Sequence, residues 1–170
     1  IQLIIIRSAQ RKEGVQDKTG ELLNTLKSIA RAKLDDSDNS PGWKFAQYEM
    51  KGVPLRLEIG PKDIEQNQCV LVRRDTREKI VVSLDELETA VPAALQAVHD
   101  GLYAKALENR KNRTWDAHDW NEFVQIANEK SGFIRAMWCG DEACENKIKD
   151  ETGIKSRCIP FNEEPIGDKC

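Results

Sequence analysis

The chain has 170 residues, 39% of them hydrophobic and 32% charged, a composition that excludes wholesale disorder and allows one ordinary domain with a small appendage. No apolar run approaches the ~20 residues that a membrane-spanning helix needs. The net charge of −3 excludes a whole-surface electrostatic binder of nucleic acid, so any RNA contact has to be local.

In chain order, residues 2–6 (Gln2-Leu3-Ile4-Ile5-Ile6) read as a buried strand. They lack a basic leader and a small-residue cleavage site, so they are no signal peptide, and the expectation is that a preceding domain has been cut away. A polar loop with Gly14 follows. Asp17 is the expected cap of a helix on which Leu22, Leu23, Leu26, Ile29 and Ala30 recur at helical spacing. Residues 33–35 suggest a second strand, and the run from Asp35 to Gly42 is a loop. A short helix over 43–50 offers Trp43, Ala46, Tyr48 and Met50 for packing.

The stretch from Val53 to Asp63 organises the rest. Leu55, Leu57 and Ile59 alternate with Arg56 and Glu58, so a strand here has one apolar and one charged face. Gly60-Pro61 ends the strand and leaves Lys62 and Asp63 on a rigid corner. By alternation alone this is a half-buried strand with a solvated charged face. Residues 68–74 are strand-like, and 79–82 return as a hairpin partner across the turn 75–78. Ser83 and Glu86 have the spacing of a capping box. The helix it opens carries Leu87, Val91, Leu95, Val98 and Leu102 in a stripe, with a bend expected at Pro92. Lys105, Arg110, Lys111 and Arg113 make its end basic, which suits either a solvated helix end or contact with an RNA backbone.

The alternation βαβ, helix, strand, hairpin and helix predicts an α/β domain with a mixed sheet over residues 1–113. A smaller α+β domain over 114–170 has an amphipathic helix with Trp115, Trp120, Phe123 and Ile126, and a strand over 133–138. A helix over 142–152 stops at Gly153, and a last strand covers 156–161.

Two groups of residues carry chemistry. Reading an unpaired guanine requires a carboxylate for its two adjacent donors and a cation for its O6 acceptor. Glu49 and Tyr48, Arg56 and Glu58, and Lys62 and Asp63 supply these as one mixed-charge patch. Of the five cysteines, Cys139 and Cys144 are spaced to give zinc two thiolates from one turn, with Cys158 and Cys170 following. His99 and His118 read as packing or surface residues. No catalytic triad, phosphate-cradling glycine loop or catalytic carboxylate pair can be assembled, so no catalytic residue is assigned.

Ser40-Pro41-Gly42-Trp43-Lys44-Phe45, Glu49-Met50-Lys51-Gly52-Val53-Pro54, Gly60-Pro61-Lys62-Asp63 and Val72-Arg73-Arg74-Asp75-Thr76 together resemble the anticodon-binding domain of class II aminoacyl-tRNA synthetases. The nearest likeness is to prolyl-tRNA synthetases of the archaeal and eukaryote-like type. That resemblance implies that Glu49, Arg56, Lys62 and Asp63 read the two anticodon guanines of proline tRNA. Arg74 and Arg77 are secondary candidates for backbone contact. It also implies a C-terminal zinc-type module in which Cys139, Cys144 and Cys170 match three of four ligands. The fourth then lies past Cys170, or Cys158 substitutes, and some relatives have lost the metal. The parent would be a cytoplasmic proline–tRNA ligase, pairing as a homodimer through a catalytic domain absent here. ATP and magnesium belong to that domain, and neither membrane nor DNA is a partner. The alternatives are a stand-alone paralogue serving as an RNA-binding accessory subunit, and a protein-interaction module.

Overall fold

A computed structural model describes residues 1–9, 14–161 and 164–167. Two compact units divide the chain, Ile1–Ala104 and Lys105–Cys170.

In the first unit a five-stranded sheet has the order β2-β1-β3-β4-β5, formed by β1 (Leu3–Arg7), β2 (Ala32–Asp35), β3 (Leu55–Ile59), β4 (Gln68–Arg73) and β5 (Lys79–Ser83). β1 runs parallel to β2 and β3, while β4 is antiparallel to both β3 and β5. The path from β1 through α1 (Val15–Lys27) to β2 moves one way across the sheet; that from β2 through α2 (Pro41–Met50) to β3 moves back past β1. Right-handed crossovers in opposite directions put their helices on opposite faces. Accordingly Leu22 and Leu26 of α1 pack with Leu3, Ile5, Leu55, Leu57 and Ile59, whereas Tyr48 and Val53 pack with Ile4 and Ile6. Leu87, Val91 and Ala94 of α4 (Leu87–Asn112) complete the larger core.

Several local expectations change. Helix α1 begins at Gly14, whose φ of 82° glycine adopts without strain, so Asp17 lies in its first turn rather than at its cap. Ser40 caps α2, accepting from the Trp43 amide. Helix α2 buries Lys44 and Tyr48; Trp43 and Met50 are exposed, because its inward stripe is offset from the one expected. Ser83 accepts from the Asp85 amide and caps a 3-10 turn over Leu84–Glu86, a shorter reach than a capping box. The α4 stripe is buried only as far as Val98, and Leu102 is exposed.

In the second unit β6 (Thr114–Asp116) and β7 (Phe133–Arg135) form a parallel pair. Helices α5 (Trp120–Glu129) and α6 (Glu142–Thr152) contribute to a small core around Ala117, Phe123 and Ile126. Trp115 sits on β6, not on a helix, β7 stops at Arg135, and residues 156–160 form no strand. Gly153 ends α6 in the left-handed conformation, as its sequence position suggested. No helix among the described residues is long and apolar enough to cross a membrane.

Candidate nucleic-acid interface

The charged face of β3 points to the same side as α2. Helix α2 spans β1 and leaves the outer strands uncovered. Register puts Arg56 beside Val72 and Lys79, and Glu58 beside Val70 and Val81. Directly paired residues share a face, so this half of the sheet is a ledge on which Val81 is 62% exposed. A flat, partly apolar ledge rimmed by charge is the surface an unstacked base needs.

At its inner rim, Arg56 is held from three directions. Its Nε donates to Glu58 Oε1 at 2.8 Å and its Nη2 lies 2.8 Å from the same oxygen, while Nη1 donates to Glu49 Oε1 at 3.2 Å. The guanidinium lies over the Phe45 ring, 4.0 Å from its centroid. Lys79 Nζ approaches the other Glu58 oxygen at 4.0 Å. The Arg56 side chain is 12% exposed and that of Glu49 40%, so the cation is fixed and the carboxylate beside it faces outward. Of five guanidinium donors, three nitrogens each commit one, which leaves two N–H groups for another acceptor.

Helix α2 delivers Phe45 and Glu49 from one face, four residues apart. A buried ion pair seats that helix. The Lys44 ammonium, fully buried, reaches the carbonyls of Asp35 at 3.2 Å and Ser37 at 2.7 Å and Asp35 Oδ1 at 3.3 Å. Burial pushes the Asp35 carboxyl up, but hydrogen bonds from Ser37 and Tyr48 and the Lys44 charge outweigh it and hold the pKa at about 2. Burial and the bond to Asp35 raise the Tyr48 phenol to about 12.

The predicted set divides. Glu49 and Arg56 meet directly, and Arg74 lines the same narrow groove with Tyr48, Val53 and Val72. Lys62 and Asp63 lie on α3 (Pro61–Glu65), past the carboxyl end of β3, about 10 Å along the strand from Arg56 before the corner begins. This is the crevice where the direction of the crossovers reverses, a common ligand position in such sheets. Lys62 is exposed there. Asp63 Oδ2 accepts the Gly60 amide at 2.8 Å, capping α3. Arg77 sits at the opposite end, exposed on the β4–β5 turn with a φ of 63°. Phe45 and Lys79 carry much of the geometry and were assigned no role from sequence, whereas Glu58 was expected in the patch and holds Arg56 there. The four-residue spacing of Phe45 and Glu49 was the available signal; the cross-strand partner Lys79 had none.

Of the predicted zinc ligands, exposed Cys139 and half-buried Cys144 flank the start of α6. Cys170 lies outside the described residues. Among the described residues no three His, Cys, Asp or Glu side chains group so as to hold a metal ion. The described donors therefore do not by themselves compose a four-ligand site.

A family model described as the anticodon binding domain matches residues 2–94, and one described as the C-terminal domain of prolyl-tRNA synthetase matches residues 120–170. The chain is 56% identical over 170 residues to a proline–tRNA ligase of Clostridium novyi, covering all of this chain and 36% of that protein. It is 52% identical over its whole length to proline–tRNA ligase 2 of Bacillus cereus, again covering 36% of the relative. A crystal structure of prolyl-tRNA synthetase from Cryptosporidium parvum, complexed with L-proline and AMP, superposes with a TM-score of 0.85 at 35% identity, covering 96% of this chain and 36% of that one. The chain thus spans about a third of the length of the curated relatives it matches.

Proposed function

Because the chain belongs to the anticodon-binding-domain family and carries the C-terminal domain of prolyl-tRNA synthetases, we propose that it reads the anticodon of proline tRNA for a proline–tRNA ligase. The observation that carries this reading is the Glu49–Arg56 pair, joined at 3.2 Å and set at the rim of an open sheet ledge. A guanine lying on the ledge presents its N1–H and N2–H donors to the Glu49 carboxylate and its O6 to the remaining Arg56 donors. Phe45 and Glu58 hold the Arg56 plane before RNA arrives, so little side-chain entropy is lost on binding. Lys62, at the carboxyl end of β3, is the cation for the second guanine, with Asp63 beside it. Arg74 and Arg77 would contact the RNA backbone rather than a base.

The parent enzyme would activate proline with ATP and magnesium and esterify it to tRNA on a domain outside this chain. It would act in the cytoplasm as a homodimer joined through that domain. We also assign Cys139, Cys144 and Cys170 to a structural zinc ion. Metal analysis would find about one zinc per chain, lost in Cys144→Ser; a metal-free wild-type protein would refute this.

Binding of the chain to proline tRNA, compared with the same tRNA altered at its two anticodon guanines, tests the decoding role. Wild type loses affinity for the altered RNA. Arg56→Ala reduces that discrimination by about 1–3 kcal/mol, the worth of one good bidentate base contact. Equal binding of both RNAs by the wild type would overturn the reading.

A further inference from the structure

One arginine fastens the closed end of the β4–β5 hairpin to the helix behind the sheet. Arg73, the last residue of β4, turns away from the ledge and reaches α4. Its Nη2 donates to the Ala97 carbonyl of that helix at 3.0 Å and to Asp75 Oδ2 at 2.8 Å. Its Nε donates to Asp75 Oδ1 at 3.2 Å, and Nη1 donates to Glu78 Oε2 at 3.3 Å. The forked pair is largely desolvated, the Arg73 and Asp75 side chains being 14% and 6% exposed. Its bonds hold the Asp75 carboxyl below the usual range. One turn beyond Ala97, Gly101 leaves room for the pair: a Cβ there would come within 2.8 Å of Asp75 Oδ2 and 3.3 Å of Arg73 Nη2. Glycine is a poor residue for a helix interior, where alanine is ordinarily favoured. The carboxylate that it admits is the reason for glycine at this position.

The turn is constrained from within as well. The Arg73 amide donates to the Glu78 carbonyl at 3.0 Å, and the Arg77 amide to the Arg73 carbonyl at 2.9 Å. Arg77 has a φ of 63°, a left-handed conformation that a bulky residue keeps only where its surroundings impose it. On the ledge side the hairpin carries Lys79, across from Val72, which in turn lies across from Arg56. The Lys79 ammonium is 4.0 Å from the Glu58 oxygen that Arg56 does not use. β5 is an edge strand hydrogen-bonded to β4 alone, so the turn at its start governs where Lys79 stands.

We propose that Arg73, Asp75 and Gly101 are positioning residues for base reading. Clasped to α4 on one face of the sheet, they fix the hairpin end whose other face sets Lys79 beside Glu58 and Arg56. They act through Lys79 and Glu58 rather than on the RNA. Slackening the clasp frees Lys79 and takes a partner from Glu58, the carboxylate that tethers Arg56 through Nε and Nη2. This role rests on the decoding reading for its purpose but makes a separate demand: discrimination between bases depends on a contact behind the sheet.

Two measurements on the full chain compare wild type with Gly101→Ala, Asp75→Asn and Lys79→Gln. One is the ratio of affinities for proline tRNA and for the same tRNA altered at its anticodon guanines; the other is amide hydrogen exchange. Gly101→Ala is expected to lower the affinity ratio roughly threefold, part of what one bidentate base contact is worth. It should also speed exchange at the Arg73 and Arg77 amides while Leu55–Ile59 stay as protected as in wild type. Its urea midpoint stays near that of wild type, because the gain in helix propensity offsets the displaced carboxylate. A fall in the ratio is then not a loss of fold. Asp75→Asn keeps the shape of the side chain, weakens its hold on Arg73 and moves both readouts the same way. Adding Gly101→Ala to Lys79→Gln lowers the ratio no further, since both act through one residue. An unchanged ratio in Gly101→Ala and Asp75→Asn, or exchange at the two amides as slow as in wild type, overturns the proposal. Should Gly101→Ala fail to fold, Asp75→Asn decides by the same two readouts. A wild type that binds both RNAs equally refutes the decoding reading, and the positioning role falls with it.

Discussion

Removing the Lys44 ammonium is expected to do more damage than removing any exposed charge of the ledge. Its three donors meet three acceptors: the Asp35 and Ser37 carbonyls and the Asp35 carboxylate. Lys44→Met keeps the stem and withdraws all three bonds, leaving a buried carboxylate without its counter-charge. Loss of one member of a buried pair costs about 3–5 kcal/mol. Asp35 keeps the Ser37 amide at 2.9 Å and the Ser37 hydroxyl at 2.6 Å, so the lower end, about 3 kcal/mol, is expected. For a unit of this size that lowers Tm by on the order of 10–15 °C. The pH dependence gives a second reading. The Asp35 carboxyl is held at about 2 in the folded chain, below its ordinary value of 3.8, so the folded form is favoured by about 2 kcal/mol above pH 4. Because its pKa is depressed, that stability is present above the unfolded value and disappears as pH falls from about 4 towards 2. Lys44→Met should shrink this acid step, and Asp35→Asn should abolish it. Helix α2 carries Phe45 and Glu49, so tRNA affinity should fall with stability in Lys44→Met. Urea denaturation across pH 2–7 measures both effects. A variant within about 0.5 kcal/mol of wild type, with an unaltered acid limb, would refute the reasoning.

Two further outcomes follow from local geometry. Gly132 has a φ of +143° and a Cβ there would collide with the Arg113 carbonyl, which accepts the Phe133 amide at 2.8 Å; Gly132→Ala should destabilise the second unit by about 2 kcal/mol. Loss of the Trp115 and Trp120 fluorescence signal at lower denaturant would register it, and an unshifted midpoint would contradict the strain argument. Cys69 is fully buried, and burial with the nearby Asp63 charge pushes its thiol up to about 12. A maleimide at pH 8 should therefore label exposed Cys158 and spare Cys69 until the chain unfolds, as peptide mass mapping would show. Labelling of Cys69 in the native protein would argue against its placement.

That Glu49 and Arg56 share one charged patch was legible in the sequence because its signal is local. Alternation along β3 assigned Arg56 to the polar face, and the motif around Glu49 supplied the carboxylate. The turn chemistry at Gly60-Pro61 ended the strand where the structure ends it. Expectations failed where one residue of helical phase mattered. Trp43 and Met50 suit packing by type, but rotation of α2 turns Lys44 inward beside the expected Tyr48. A lysine is an unlikely core residue until its partner is known, and Asp35 lies on another element.

By itself the amino-acid order determined the element sequence, the mixed α/β class and which side of β3 carries charge, since periodicity and turn residues act over a few positions. Only the tertiary structure decided which charges are spent and which are spare. Arg73 and Arg74 are neighbours of the same type, yet one finds Asp75 and Glu78 and the other, among the described residues, forms no ion pair with a carboxylate. Pairing depends on distances between side chains brought together by sheet register and helix rotation, and no local pattern encodes those.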